Sequence, residues 1–185
     1  MQLNLVKELQ KYMGTNINKI DPNTQDLREE DFAHRYDKLA QASVPTVLTV
    51  LYKYTHMKDG GATLLKRETS GDVFEEMLGP SYTEVVSKVA DYSGFSETYS
   101  AGVLDNLALE AVKLVREHAN NDPVKAQALL ADQRHEIFTH LPASIELGKA
   151  LDDTTIDDRT NKMEGPVSNL LHTIENIFAS SPVKK

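Results

Sequence analysis

Two stretches of this chain carry apolar residues at helical spacing on more than one face, and nothing else limits the fold as strongly. One runs through Val44, Val47, Leu48, Val50, Leu51 and Tyr54. The other runs through Tyr99, Val103, Leu104, Leu107, Leu109, Ala111, Val112, Leu114 and Val115. A helix that is apolar on several sides must be covered by other elements. Two such helices, near residues 44–58 and 97–118, predict an all-α fold with both at its centre. No useful length alternates apolar and polar residues with period two, and no Asn-Gly hairpin turn occurs.

The flanking segments read as the shorter helices of a bundle of about eight. Leu5, Val6, Leu9, Tyr12 and Met13 form a stripe that stops at Gly14, where a left-handed cap belongs. Residues 18–26 read as a loop, with turn chemistry at Asp21-Pro22-Asn23. Phe32, Tyr36, Leu39, Ala40 and Ser43 share one face of a second helix. Pro45 then either precedes a new helix or kinks a single long one. Asp59-Gly60-Gly61 ends that stretch, and short helices come next near residues 62–67 and 72–78. After Gly79-Pro80, Ser81-Tyr82-Thr83-Glu84 has the spacing of a capping box. Tyr82, Val85, Val86 and Val89 form the inner stripe of the helix it opens, and Gly94 stops it. Asp122 and Pro123 suit the N-cap and first residue of a later helix through Ala126, Leu129 and Leu130, leading to Ile137, Phe138 and Leu141.

A length of 185 residues suits one compact domain, residues 1–150, plus a tail. With 40% hydrophobic and 26% charged residues the chain is globular in composition, not disordered. The net charge of −8 repels phosphate backbones and argues against general nucleic-acid binding. The absence of cysteine excludes disulfides, thiolate nucleophiles and Cys-type zinc sites. No signal peptide is legible and no run approaches the roughly 18 apolar residues of a membrane span, so a cytoplasmic protein is expected.

The segments downstream of the two central helices are similar. Ala62-Thr63-Leu64-Leu65 and Val73-Phe74 come after the first, and Ala126-Gln127-Ala128-Leu129-Leu130 and Ile137-Phe138 come after the second. Residues 27–79 and 81–147 are therefore read as two similar halves, related by duplication or by the common grammar of helical hairpins.

The second half also carries a family resemblance. Val85-Val86-Ser87-Lys88-Val89-Ala90-Asp91-Tyr92-Ser93-Gly94-Phe95-Ser96, ahead of the long apolar helix, resembles the uncharacterised bacterial DUF-937, or YidB-like, family. Leu129-Leu130-Ala131-Asp132-Gln133-Arg134-His135-Glu136-Ile137, then Leu141-Pro142-Ala143, is similar to that family's ending. Val44-Pro45-Thr46-Val47-Leu48 resembles its Leu-Pro helix. The resemblance spans about residues 30 to 147 and implies a helical bundle. It brings no catalytic residue, and this chain, with 9 glycines, is poorer in glycine than the family.

Chemistry is sparse. Glu136 and His140 are four apart, Asp132 and His135 three apart, and Asp31 and His34 repeat the second spacing. Carboxylate–histidine pairs three apart on two helices hold metals in some bundles, usually through Glu. Here the surrounding positions are polar and an ordinary charged surface is the simpler reading, so no metal or other cofactor is expected. No nucleophile motif, phosphate loop, dinucleotide fingerprint or calcium loop is present.

Residues 151–164 read as an acidic linker, and residues 165–180 as an amphipathic helix with Leu170, Leu171, Ile174, Ile177 and Phe178 on one face. That face must be covered, at about 1.5–3 kcal/mol per side chain. It docks on its own domain, on a protein partner or on a second copy. Two functions stay open: a non-enzymatic interaction or scaffold module, or a ligand-binding protein or enzyme with a site between the halves.

Overall fold

A computed structural model describes residues 3–20, 26–66, 72–153 and Ile156. Every regular element among them is a helix or a 3-10 turn. The helices are α1 (Leu5–Met13), α2 (Arg35–His56), α3 (Gly60–Lys66), α4 (Val73–Leu78), α5 (Tyr82–Ser93), α6 (Glu97–Ala119), α7 (Pro123–Asp132), α8 (Arg134–Phe138) and α9 (Leu147–Ala150). No described helix is long and apolar enough to cross a membrane.

The bundle is wound about α2. Every residue from Leu39 to Leu51 is buried, and α1 and α3 to α8 all pack on this helix. Pro45 lies inside it without ending it. The proline removes the N–H that the Gln41 carbonyl would accept, a cost that packing on all sides of α2 outweighs. α6 is the second core helix, but it is covered on one side only. Leu104, Leu107, Ala108, Ala111, Val112 and Val115 face inward, while Glu97, Gly102, Lys113 and Glu117 face water.

Helix ends follow local chemistry where a side chain can act alone. Gly14 and Gly94 adopt left-handed φ of 69° and 70° after α1 and α5. The Asp122 carboxylate accepts the N–H groups of Val124 and Lys125 at 2.9 and 3.2 Å. The capping box at Ser81 does not form. The chain enters α5 from a 3-10 turn, Gly79–Ser81, with Ser81 already helical and the Tyr82 N–H bonded to the Gly79 carbonyl.

Asp59-Gly60-Gly61 does not simply end α2: the helix stops at His56, and Gly60 and Gly61 begin α3. Because α2 is unbroken at Pro45, the first half has no counterpart of the α5–Gly94–α6 break.

The acidic run after Ala150 begins on the domain. Lys53 donates to the Leu151 carbonyl and pairs with Asp153 at 3.7 Å, and Ile156 is buried. The rest of the expected linker, and the 165–180 stripe of Leu170, Leu171, Ile174, Ile177 and Phe178, lie outside the described residues.

Among the described residues, five buried hydroxyls have no hydrogen-bond partner: Ser43, Thr46 and Thr49 on α2, Tyr92 on α5, and Ser100 on α6. A buried donor left unpaired costs about 1–3 kcal/mol. Thr46→Val and Thr49→Val should each raise stability by about 1 kcal/mol, since valine has the same shape without the hydroxyl. Urea titration of the two variants checks this. A loss of stability in both would show that the hydroxyls are satisfied, for instance by buried water.

Candidate functional site

The residues suggested by metal-ligand spacing do not assemble. Asp31 and His34 are not on a helix. Asp31 closes a 3-10 turn, Glu29–Asp31, where its carboxylate accepts the Arg28 N–H at 2.8 Å. His34 is the extended residue before α2, and its N–H donates to Asp37 at 2.8 Å. Asp132 and His135 point to solvent. Glu136 is held by the Lys19 ammonium at 2.6 Å. Burial pushes its carboxyl up, but Lys19 outweighs that and holds it below the usual carboxylate range. Among the described residues, no three His, Asp or Glu side chains converge on one point.

His140 is the exception to the solvated pattern. It is buried, and its Nδ1 lies 2.7 Å from the Glu136 carbonyl, as a donor in the tautomer this contact requires. Desolvation lowers its pKa below 6.5 despite the neighbouring Glu136. The unfolded chain therefore binds a proton that the folded chain refuses. Stability is unaffected above about pH 6.5 and falls as the pH drops from there toward the folded pKa. The melting temperature of the parent should decline more between about pH 7.5 and 5.5 than that of His140→Gln, which cannot titrate there. Equal slopes would remove the assignment.

His140 belongs to a structural hub. Gln41, fully buried on α2, accepts the Asn18 N–H at 2.8 Å and donates to the Asn18 and His140 carbonyls at 3.0 and 2.7 Å. Gln133, buried at the end of α7, accepts the Leu5 N–H at 2.7 Å. Residues 15–20, the last three of which begin the segment read as a loop, thus form a strap between α2 and α8. Ile20 donates to the Thr139 carbonyl at 2.8 Å and Thr15 donates to Asp37 at 2.6 Å.

A different set of residues meets at the N-terminal end of α2. The Tyr36 hydroxyl reaches the Met13 sulfur at 3.6 Å. Burial raises the Tyr36 pKa first, and the nearby Tyr99 and Tyr12 phenols add to it. Tyr12 is 52% exposed and Tyr99 is 48% exposed, although both occur in apolar stripes of their helices. Tyr99 stacks on Phe95 with ring centres 5.0 Å apart. The Arg35 guanidinium lies 4.4 Å above the other ring of that stack, Phe95, and its Nε donates to the Ser93 carbonyl at 3.4 Å. Beside it, Lys38 lies within 6 Å of the Phe32 and Tyr92 rings and pairs with Glu29. The result is a surface of aromatic rings with Arg35 at its edge, fixed by three helices and by the tight turn at Gly94.

Sequence reasoning missed this surface because an exposed tyrosine and a buried one occupy the same place in a helical stripe. The available signal was the adjacency of Phe95 and Tyr99 across the cap of α6, where Ser96 accepts the Tyr99 N–H at 3.3 Å.

The fold and this surface together define a class: an all-α bundle about one enclosed helix, bearing an exposed aromatic face. No family model, curated protein or solved structure matches the chain.

Proposed function

We propose that this protein is a non-enzymatic interaction module that presents Tyr12, Tyr36, Phe95 and Tyr99, with Arg35, to a protein partner. The supporting observation is the exposure of Tyr12 and Tyr99 on rigid helices around a shared Tyr36. Tyrosine and arginine dominate the energetic centres of interfaces, because they bury large areas at small entropic cost and keep a polar tip for hydrogen bonding. The buried polar side chains of the described residues also favour this reading. They are amides and hydroxyls apart from His140, and none joins a nucleophile to a base. The resemblance of residues 30 to 147 to the YidB-like family fits the same reading, since it brings a bundle and no catalytic group.

A photo-crosslinking amino acid in place of Tyr12 or Tyr99, in producing cells, tests it. Adducts of discrete mass are expected at both positions and not at Val124, which is 74% exposed on α7. Phe95→Ala with Arg35→Glu should abolish them. Adducts of equal yield at Val124, or none anywhere, would overturn the proposal.

A further inference from the structure

An open cleft of about 370 Å³ adjoins the aromatic face, bordered by Glu29, Phe32, His34, Arg35, Lys38 and Gly94. Arg35 is its fixed point. The guanidinium is held over the Phe95 ring, and its Nε donates to the Ser93 carbonyl. Gly94 leaves room for it, since a Cβ there would sit 3.4 Å from Nη2. The terminal nitrogens, Nη1 and Nη2, make no hydrogen bond among the described residues, and no described carboxylate pairs with them. The chain carries 28 acidic side chains against 20 Lys and Arg. Cations close by show the usual result of that excess: Arg28 pairs with Glu30 at 2.5 Å, and Lys38 pairs with Glu29.

We propose that the partner of the aromatic face is an acidic peptide segment, with one carboxylate seated on the terminal nitrogens of Arg35 and a neighbouring apolar side chain laid on Phe95 and Tyr99. The inference rests on the reading of that face as a partner surface and names the partner's chemistry. The first argument is charge complementarity. Arg35 is the Arg or Lys of the cleft without a counterion, and the end of a guanidinium matches a carboxylate through two parallel N–H···O bonds. The second is preorganisation. The ring below and the Ser93 carbonyl beside it hold the guanidinium in place, so a ligand orders little on binding. The third is selectivity for a single negative charge. Glu29 already occupies Lys38 at the rim of the same cleft, so a phosphate, with a charge of about −1.5 to −2, meets repulsion that a carboxylate feels less. The first turn of α2 adds no further anion site, because the Asp37 carboxylate accepts the His34 N–H.

The test uses the full chain, labelled with nitrogen-15, and three probes: acetyl-Glu-Phe-amide, acetyl-Gln-Phe-amide and phenyl phosphate. The N–H resonances of Gly94 and Tyr99 report binding. The Glu peptide should shift both saturably at millimolar concentration, the range of one small contact. The Gln peptide, equal in shape and uncharged, should bind about ten-fold more weakly or worse. Arg35→Gln should bring the two peptides to the same affinity. Because the Glu and Gln peptides are compared on the parent protein, the result does not depend on how that variant folds. Three results would overturn the proposal: no shift from either peptide, equal affinity of the two for the parent, or phenyl phosphate binding more tightly than the Glu peptide. Each leaves the aromatic face to be judged by the crosslinks at Tyr12 and Tyr99. Crosslinks that form while the two peptides bind alike would keep the face and remove the carboxylate. Absent crosslinks would remove the face itself.

Discussion

Gln41→Leu is expected to cost about 3 kcal/mol or more and to lower the melting temperature by about 10 °C. Leucine fills nearly the same volume, so the loss is not one of packing. It is one of pairing: the Asn18 N–H and the Asn18 and His140 carbonyls lose their partner inside the bundle. Each abandoned group costs about 1 kcal/mol or more, because the amide cannot be replaced by water without opening the strap. The strap would keep its other bonds, among them Gln10 to the Ile17 carbonyl at 3.0 Å, Thr15 to Asp37, Lys19 to Glu136 and Ile20 to Thr139. Hydrogen exchange should therefore report loosening at residues 16–20 and 139–141 before global unfolding. A melting temperature within about 2 °C of the parent would mean that this hub contributes little.

The second large effect is expected at Gly60. A Cβ there would sit 1.9 Å from the Tyr54 carbonyl oxygen and 3.0 Å from its carbon. Neither atom can rotate away, since both belong to the last turn of α2, and the same oxygen accepts the Met57 N–H at 3.1 Å. The link between the helices is already tight, with Asp59 at a positive φ of 61° and the Gly60 N–H bonded to the Met57 carbonyl at 3.0 Å. Gly60→Ala must push α3 outward, although Gly61 packs α3 closely on Pro123. A loss of about 3 kcal/mol is the expected result. Gly102 supplies the contrast. It lies within α6, and a Cβ there would meet nothing within 4 Å. Gly102→Ala should stabilise the protein by about 0.5–1 kcal/mol, because alanine loses less backbone freedom in a helix. Equal effects of the two substitutions would refute the steric argument.

Much of the secondary structure was legible because it rests on short-range physics. Gly14 and Gly94 stop helices by accepting a left-handed backbone, and Asp122-Pro123 starts one with a side-chain acceptor and a fixed φ. The apolar spacing in α2 and α6 located both core helices for the same reason. The candidate site was not legible. Spacing of three or four puts two side chains on one face of a helix but does not say whether that face meets another, and for Asp31 and His34 there was no helix at all.

The sequence by itself determined an all-α chain, most of its helix ends and the demand that two helices be enclosed. Each of these depends on residues within one or two turns of each other. Only the tertiary structure decided that α2 runs unbroken through Pro45, because packing from all sides outweighs one lost hydrogen bond. It also decided that residues 15–20 bind Gln41, and that Tyr12 and Tyr99 stand in water beside Tyr36. Those outcomes depend on which surfaces meet across more than 20 residues of chain, and no local pattern encodes that.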